Sequence, residues 1–323
     1  MPKNSERKPK IMENRTHRLD AWTGLGQTLP EGTTPEEALE LAGLAGWNVR
    51  RVPLTAQAAP GVTVEVPGNF AVLRDTDGDP AVVSVVGPDY QVIQNEDLLP
   101  LAYALIEETG AQVVTAGRLP RGVRESSFLT LRMPRPLKVG QDAVELYMTL
   151  QNTHDGRAAS AVVLTPVHVQ SRAVLNLDLP GVPHKLRLTH YAGAQEMLQK
   201  QVQDAMDHVY AYTDAFEEIA GEMATRRLSQ AGFQKLTYKE FAAPASAPSA
   251  TQTRAENKLM RMERLYSARG QENGWAALVA IAEWHDFYSP VRPVGGSEIA
   301  ARQRKALLAP DVKVKALALL SAD

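Results

Sequence analysis

Four segments in the middle of the chain are either continuously apolar or alternate between apolar and polar residues, and short turns separate them. These segments are 111–119, 126–133, 142–150 and 159–169. A period of two is typical of strands, and short connections favour antiparallel neighbours. We therefore predict that four consecutive strands form an antiparallel sheet.

Further elements complete the predicted core. Apolar runs on both sides of Asp77-Gly78 predict a hairpin over residues 69–87, because Asp-Gly is a favoured two-residue turn. A helical stripe between Asn95 and Gly110 predicts a helix capped by the first residue and ended by the second. A short helix is expected to start at Ser171. The order β-β-α-β-β-β-β-α indicates an α+β fold, an antiparallel sheet with helices on one face.

The remainder of the chain has a helical pattern. Between residues 198 and 223 apolar side chains recur at steps of four and three, which is a heptad seam. The seam either packs the helix on its own domain or pairs it with another subunit. In the second case the oligomer contacts are Leu198, Val202, Val209, Tyr212, Phe216 and Ile219. Residues 254–270 predict a basic amphipathic helix.

Composition divides the chain into five parts. They are a basic arm at 1–20, an α+β core at 21–190, the long helical segment at 191–241, a Pro/Ala/Ser linker at 242–253 and a helical region at 254–323. The first twenty residues lack the apolar stretch of a signal peptide, and no long apolar run follows. The absence of cysteine is compatible with a reducing compartment. We expect a cytoplasmic protein with no membrane partner.

The net charge of −2 hides a local imbalance. Residues 30–110 contain thirteen Asp or Glu and three Lys or Arg, whereas residues 111–140 contain six Lys or Arg and one acid. These charges either belong to solvated faces of separate elements or form a basic stripe. A basic stripe is suited to a phosphate backbone.

The predicted nucleic-acid contacts lie in the strands and turns of this basic region and just beyond it. They are Arg118, Arg121, Arg124, Arg132, Arg135, His154, Arg157, Arg172 and Tyr147. The guanidinium groups would neutralise phosphates, and the ring of Tyr147 would stack on a base. Phe128 offers a second ring, for which core packing is the favoured alternative.

The stretch QNTHDGRAAS at 151–160 permits several kinds of chemistry. Asp155-Gly156 favours a hairpin turn, although His154 and Asp155 are also the residue types of a catalytic dyad. A metal shared by His154 and His168 is disfavoured, because an extended strand would hold them about 35 Å apart. The chain has no P-loop, dinucleotide-binding or HExxH motif, so we expect no cofactor and no metal.

Several stretches together resemble a known family. They are Trp22, Tyr90 with Gln94-Asn95, the His154-Asp155-Gly156 turn, the passage from Thr165 to Leu175, and Trp275 to Tyr288. They resemble the phage/plasmid-like protein family, a domain of unknown function, over most of the chain. The family has Arg-Val-x-Cys where this chain has His168-Val169-Gln170-Ser171, so a role of that Cys does not carry over.

The order of elements is also similar to the core of the single-strand annealing proteins, the Red-beta, RecT and Erf superfamily. This similarity is one of topology and not of motifs. It implies a homo-oligomeric ring or filament that binds single-stranded DNA and pairs complementary strands without ATP. In this interpretation the helices after residue 190 stabilise the assembly or bind a partner such as an exonuclease or a single-strand-binding protein.

We therefore expect a non-enzymatic, ATP-independent DNA-annealing protein of phage or plasmid origin. Two other classes stay open. One is a regulatory interaction protein of a mobile element that works through the acidic region 30–110. The other is an enzyme with a site at His154 and Asp155. A steep salt dependence of single-stranded DNA binding is expected of the annealing protein alone.

Overall fold

The computed structural model describes residues 22–76, 79–121, 124–154, 156, 159–188, 195–293 and 297–321. The strands in this part are β1 (Gln27–Thr28), β2 (Arg50–Ala59), β3 (Val62–Thr76), β4 (Asp79–Val86), β5 (Gln112–Arg121), β6 (Arg124–Arg132), β7 (Leu137–Val139), β8 (Asp142–Thr153), β9 (Ala161–His168) and β10 (Lys185–Arg187). The helices are α1 (Pro35–Leu41), α2 (Leu99–Thr109), α3 (Gln195–Thr225), α4 (Gln230–Phe241), α5 (Ser249–Ser267), α6 (Gly274–Glu283), α7 (Glu298–Leu308) and α8 (Asp311–Ser321).

The main sheet has seven strands in the order β1-β5-β6-β8-β9-β10, with β7 paired to β8. Every pair is antiparallel. The four strands that the sequence predicted are β5, β6, β8 and β9. They are neighbours in the sheet, and their order there is their order in the chain. The predicted α+β class is therefore confirmed.

The predicted hairpin belongs to a second sheet. Strands β2, β3 and β4 form a separate three-stranded antiparallel sheet. β3 pairs with β4 from Phe70 opposite Val86 to Thr76 opposite Asp79, and the Asp77-Gly78 turn lies outside the described residues. One face of this sheet joins the core through Val72 and Val83, which are buried.

Helices cover the main sheet on one face, and other elements cover the second face. On the first face, side chains of β5, β6, β8 and β9 share one core with α1, α2, α3 and α6. On the opposite face a smaller cluster joins Phe128 and Val163 to Trp22 and to Leu307 of α7. The expectation of helices on one face only is wrong, because α7 returns to the second face.

The helix expected from Ser171 is absent from the structure. Arg172 has a φ of 59°, a left-handed conformation that starts no helix. The chain turns there and runs back beside β9, with Leu175 N–H donating to Pro166 O at 2.8 Å. Ala173, Val174 and Leu175 are all buried, and a surface helix would expose one of them.

The heptad seam of α3 packs inside the chain. Val209, Tyr212 and Phe216 are buried in the main core, and Leu198, Val202 and Ile219 are half-buried against it. The structure shows intramolecular packing of the seam, with Val209, Tyr212 and Phe216 fully enclosed, and a subunit contact through the seam stays a prediction. The segment expected as a linker is shorter than predicted, because α5 begins at Ser249.

Candidate nucleic-acid interface

Among the predicted arginines whose side chains the structure describes, Arg118 and Arg132 lie apart. Arg118 is exposed and lies opposite Ser127, whereas Arg132 lies five residues farther along β6, about 17 Å away at ~3.3 Å per residue. Because Ser127 and Arg132 differ in strand parity, the two arginines lie on opposite faces of the sheet. Arg135 is exposed in the loop that follows.

Three further predicted contacts lie at the edges of the described chain. Arg121 and Arg124 are opposite each other where β5 ends and β6 begins, and their side chains lie outside the described part. Arg157 lies outside it as well, as does Asp155 of the expected turn.

Tyr147 and Arg172 lie in one partly buried cluster. The Tyr147 hydroxyl donates to Glu145 Oε2 at 2.8 Å, and the Arg172 guanidinium donates to the same carboxylate oxygen at 2.9 Å. Burial is the main reason that the pKa of Tyr147 is raised, with Glu145 adding to it. Tyr147 is buried, so its ring is not open to a base in this conformation.

His154 is fully buried in a polar network. Its Nε2 lies 3.0 Å from Asn95 Oδ1, which also accepts from the Ser127 hydroxyl and from Asn152 Nδ2 at 3.3 Å. The ring centroid lies 5.5 Å from that of Trp47. The Gln94-Asn95 element and the Asn152-to-His154 stretch therefore meet in the interior. His154 contributes to packing there and does not project toward a polyanion.

A second histidine forms a chain with an aspartate and a serine. His168 Nε2 lies 3.1 Å from Asp142 Oδ2, and His168 Nδ1 lies 2.9 Å from Ser171 Oγ. Trp275 Nε1 donates to the same Asp142 oxygen at 2.8 Å. All four side chains are buried. The arrangement ties β8 and β9 to α6. Within the described residues, no group of three His, Cys, Asp or Glu has a geometry suited to a metal ion.

The described residues form a candidate ligand site in the C-terminal region, a groove that we call the α5 groove. It has a volume of about 610 Å³ and lies between α5 and the π-helical turn Trp284–Tyr288 that follows α6. Its lining residues are Phe241, Ala242, Ala243, Pro244, Thr251, Arg254, Ala255, Asn257, Lys258, Arg261, Trp284, Tyr288 and Pro290. Three are cations and three are aromatic.

The cations and rings of the α5 groove face one another. Arg254, Lys258 and Arg261 follow steps of four and three, so they share one face of α5. Lys258 Nζ lies 5.3 Å from the ring centroid of Phe241 and 6.0 Å from that of Trp284. These distances are typical of cation–π contacts, and the ammonium stands between two rings.

The electrostatics of the α5 groove favour an anion. Among the described residues, its lining contains no carboxylate. Burial lowers the pKa of Lys258, and the nearby Lys315 lowers it further. Lys315 is paired with Glu240. An anion in the groove would relieve the repulsion between Lys258 and Lys315.

The π-helical turn positions the two large rings. Ser289 N–H donates to Trp284 O at 2.9 Å, which is the i to i+5 bond of a π-helix. Such single turns are rare and occur often at functional sites. Arg302 Nη1 donates to Ser289 O at 3.0 Å, and the Lys305 ammonium donates to the Ser289 hydroxyl. These two cations satisfy and neutralise the carbonyl end of the turn.

Sequence reasoning predicted the basic helix 254–270 but did not connect it with aromatic residues. The visible signal was the spacing of its three cations on one helix face. The rings come from the end of α4 and from the π-helical turn, which only the tertiary structure places opposite α5.

A family model described as a domain of unknown function (DUF932) matches residues 82–307. The chain belongs to this family. The match runs from β4 to near the end of α7 and includes every lining residue of the α5 groove. No curated protein and no solved structure matches the chain. None of the helices in the described ranges combines the length and the hydropathy that a bilayer crossing requires.

Proposed function

We propose that this member of the DUF932 family binds single-stranded nucleic acid in the α5 groove. The observation that carries the proposal is the presence of three α5 cations and three aromatic rings in one groove, with Lys258 and Arg261 in contact with rings. Proteins that hold single strands combine a cationic track for phosphates with rings on which bases stack. A duplex keeps its bases inside, so the rings favour a single strand.

The cations and the rings supply separate parts of the affinity. Phosphate contacts from Arg254, Lys258 and Arg261 release counterions, so this part weakens with salt. Stacking on Trp284 and Tyr288 is insensitive to salt and contributes about 1–3 kcal/mol per base. The two parts can therefore be measured independently.

The finer part of the proposal is strand annealing by an assembly of several copies. It rests on the topological likeness of the sheet core to the Red-beta, RecT and Erf proteins and on the likeness to phage and plasmid proteins. Annealing requires no nucleotide hydrolysis. Since α3 uses its seam internally, we place the subunit contact elsewhere, for which the exposed Val82 and Val85 of the second sheet are candidates.

The experiment is fluorescence anisotropy with a labelled oligothymidylate of roughly 20 nucleotides. This length exceeds the ~4–16 nucleotides that a single OB-fold domain binds. Titrations at several salt concentrations give the slope of log K against log salt. The wild type is expected to bind at about 50 mM salt and to lose affinity steeply as salt rises. Absence of binding at low salt would falsify the proposal.

Two matched triple variants locate the site. Changing Arg254, Lys258 and Arg261 to Gln is expected to reduce the salt slope by about 2, since each single-strand phosphate contact contributes about 0.7. Changing Arg118, Arg132 and Arg135 to Gln removes the same charge from the main sheet and is expected to leave the slope unchanged. The opposite result would place the interface at the sheet.

Annealing is tested by the rate at which two complementary strands form a duplex, with and without protein.

A further inference from the structure

A buried ion pair lies behind the α5 groove and is not part of its lining. Lys313 of α8 is 0% exposed and Asp286 of the π-helical turn is 1% exposed. Lys313 Nζ lies 3.1 Å from Asp286 Oδ1. Neither side chain reaches the groove, so neither can contact a ligand there.

The Lys313 ammonium joins four elements. Besides Asp286 it donates to Val174 O at 3.0 Å, in the segment after β9, and to Ala306 O of α7 at 2.7 Å. Asn176 Oδ1 lies 3.4 Å from the same nitrogen. The three N–H groups of the ammonium thus bind acceptors on three separate elements. The position of the ammonium therefore fixes how these elements are placed relative to one another.

The Asp286 carboxylate is held from several sides as well. Its Oδ2 accepts from Val174 N–H at 2.8 Å, and its Oδ1 lies 2.8 Å from His285 Nδ1. A buried carboxylate with this many partners has one allowed position. Asp286 stands in the middle of the five-residue turn whose two ends, Trp284 and Tyr288, provide rings to the groove.

We infer that Asp286 and Lys313 are positioning residues that hold Trp284 and Tyr288 in the geometry a stacked base requires. This inference rests on the proposed function of the groove. Proteins in which a buried ion pair is replaced by well-packed hydrophobic residues are often no less stable. Stability alone therefore does not explain why this pair is present. In this arrangement α8, which lies outside the groove, sets how well the groove discriminates bases from bare phosphates.

The test compares two ligands that differ only in their bases. One is oligothymidylate, and the other is an abasic strand with the same number of phosphates. The wild type is expected to bind the first about tenfold more tightly than the second, from stacking. Lys313→Met is expected to reduce this ratio to below about threefold without changing the salt slope, because the cations of α5 stay in place.

A second readout needs no ligand. Hydrogen exchange of residues 284–290 is expected to be faster in Lys313→Met, with exchange in α5 unchanged. Asp142→Asn, which disturbs the separate buried contact with Trp275, serves as a control for loss of stability and is expected to keep both the ratio and the exchange pattern.

The outcomes separate the two proposals. If wild-type protein binds no single strand, the proposed function fails, whereas the exchange data still decide whether the pair holds the turn. If Lys313→Met keeps both the tenfold ratio and slow exchange at 284–290, the inference is overturned. Should that variant not fold, Asp286→Asn carries the same test, because it removes the charge at nearly constant volume.

Discussion

The Arg261 guanidinium lies over the ring of Tyr288, with its carbon 4.6 Å from the ring centroid. A cation and a ring are thus already stacked before any ligand arrives. A planar base that enters the α5 groove meets either the plane of the Arg261 guanidinium or the ring of Tyr288. Guanidinium planes and aromatic rings both stack on bases.

Removal of the Tyr288 ring isolates the stacking part of binding. Tyr288→Leu is expected to weaken binding of oligothymidylate about tenfold, with the salt slope unchanged, because the ring carries no charge. Tyr210→Leu removes a ring that is 53% exposed on α3 and is the matched control. Anisotropy titrations measure both. An equal loss in the two variants would contradict a stacking role of Tyr288.

Removal of the Asn95 side chain tests the buried polar network. Asn95→Ala leaves Ser127, Asn152 and His154 without their shared acceptor, so we expect a loss of about 3 kcal/mol in the free energy of unfolding. Urea denaturation provides the measurement. Asn69→Ala, at an exposed position, is expected to change it by less than about 0.5 kcal/mol. A small effect at Asn95 would show that the network is dispensable.

Stability is expected to fall between pH 7.5 and pH 5.5. Burial lowers the pKa of His168, with Arg269 adding to it and with Asp142 and Glu283 opposing it. Burial also lowers the pKa values of His208 and His285. As the pH falls through about 6.5, the unfolded chain binds these protons first, so the folded state loses about 1 kcal/mol for each histidine.

Urea denaturation at the two pH values measures this effect. Ordinary carboxylates stay ionised throughout the interval and do not contribute. His168→Gln is expected to reduce the difference by about a third, since one of the three histidines whose pKa burial lowers is gone. Equal stability of the wild type at both pH values would argue against neutral, buried imidazoles.

The packing of α3 leads to a prediction about assembly. Phe216→Ala removes a buried ring from the main core and is expected to cost about 3–5 kcal/mol of stability. The oligomeric mass from light scattering is expected to stay that of the wild type. A change of mass without loss of stability would instead assign the seam to a subunit contact.

The sheet could be predicted because its signal is local. Strands β5, β6, β8 and β9 alternate or run apolar and are separated by short turns, so pattern and turn chemistry agree. The segment after Ser171 could not be predicted in the same way. Ala173, Val174 and Leu175 are apolar in succession, which fits a buried helix or an extended chain equally well, and the left-handed Arg172 decides between them.

The candidate site was predictable only in part. The spacing of Arg254, Lys258 and Arg261 indicates a basic helix face, but no local pattern shows what stands opposite. The same limit explains why the grouping of the sheet arginines could not be predicted from the sequence. Arg118 and Arg132 are close in sequence, and the pleat sends them to opposite faces once the register is set.

The ammonium of Lys313 and the carbonyl of Val174 are 139 residues apart. A ribosome makes α8 after every other described helix, so the groove residues, of which Pro290 is the last, are made before Lys313. At synthesis rates of about 5–20 residues per second, these 23 residues take about 1–5 seconds. The nascent protein therefore acquires its sheet first and its ligand-ready groove last.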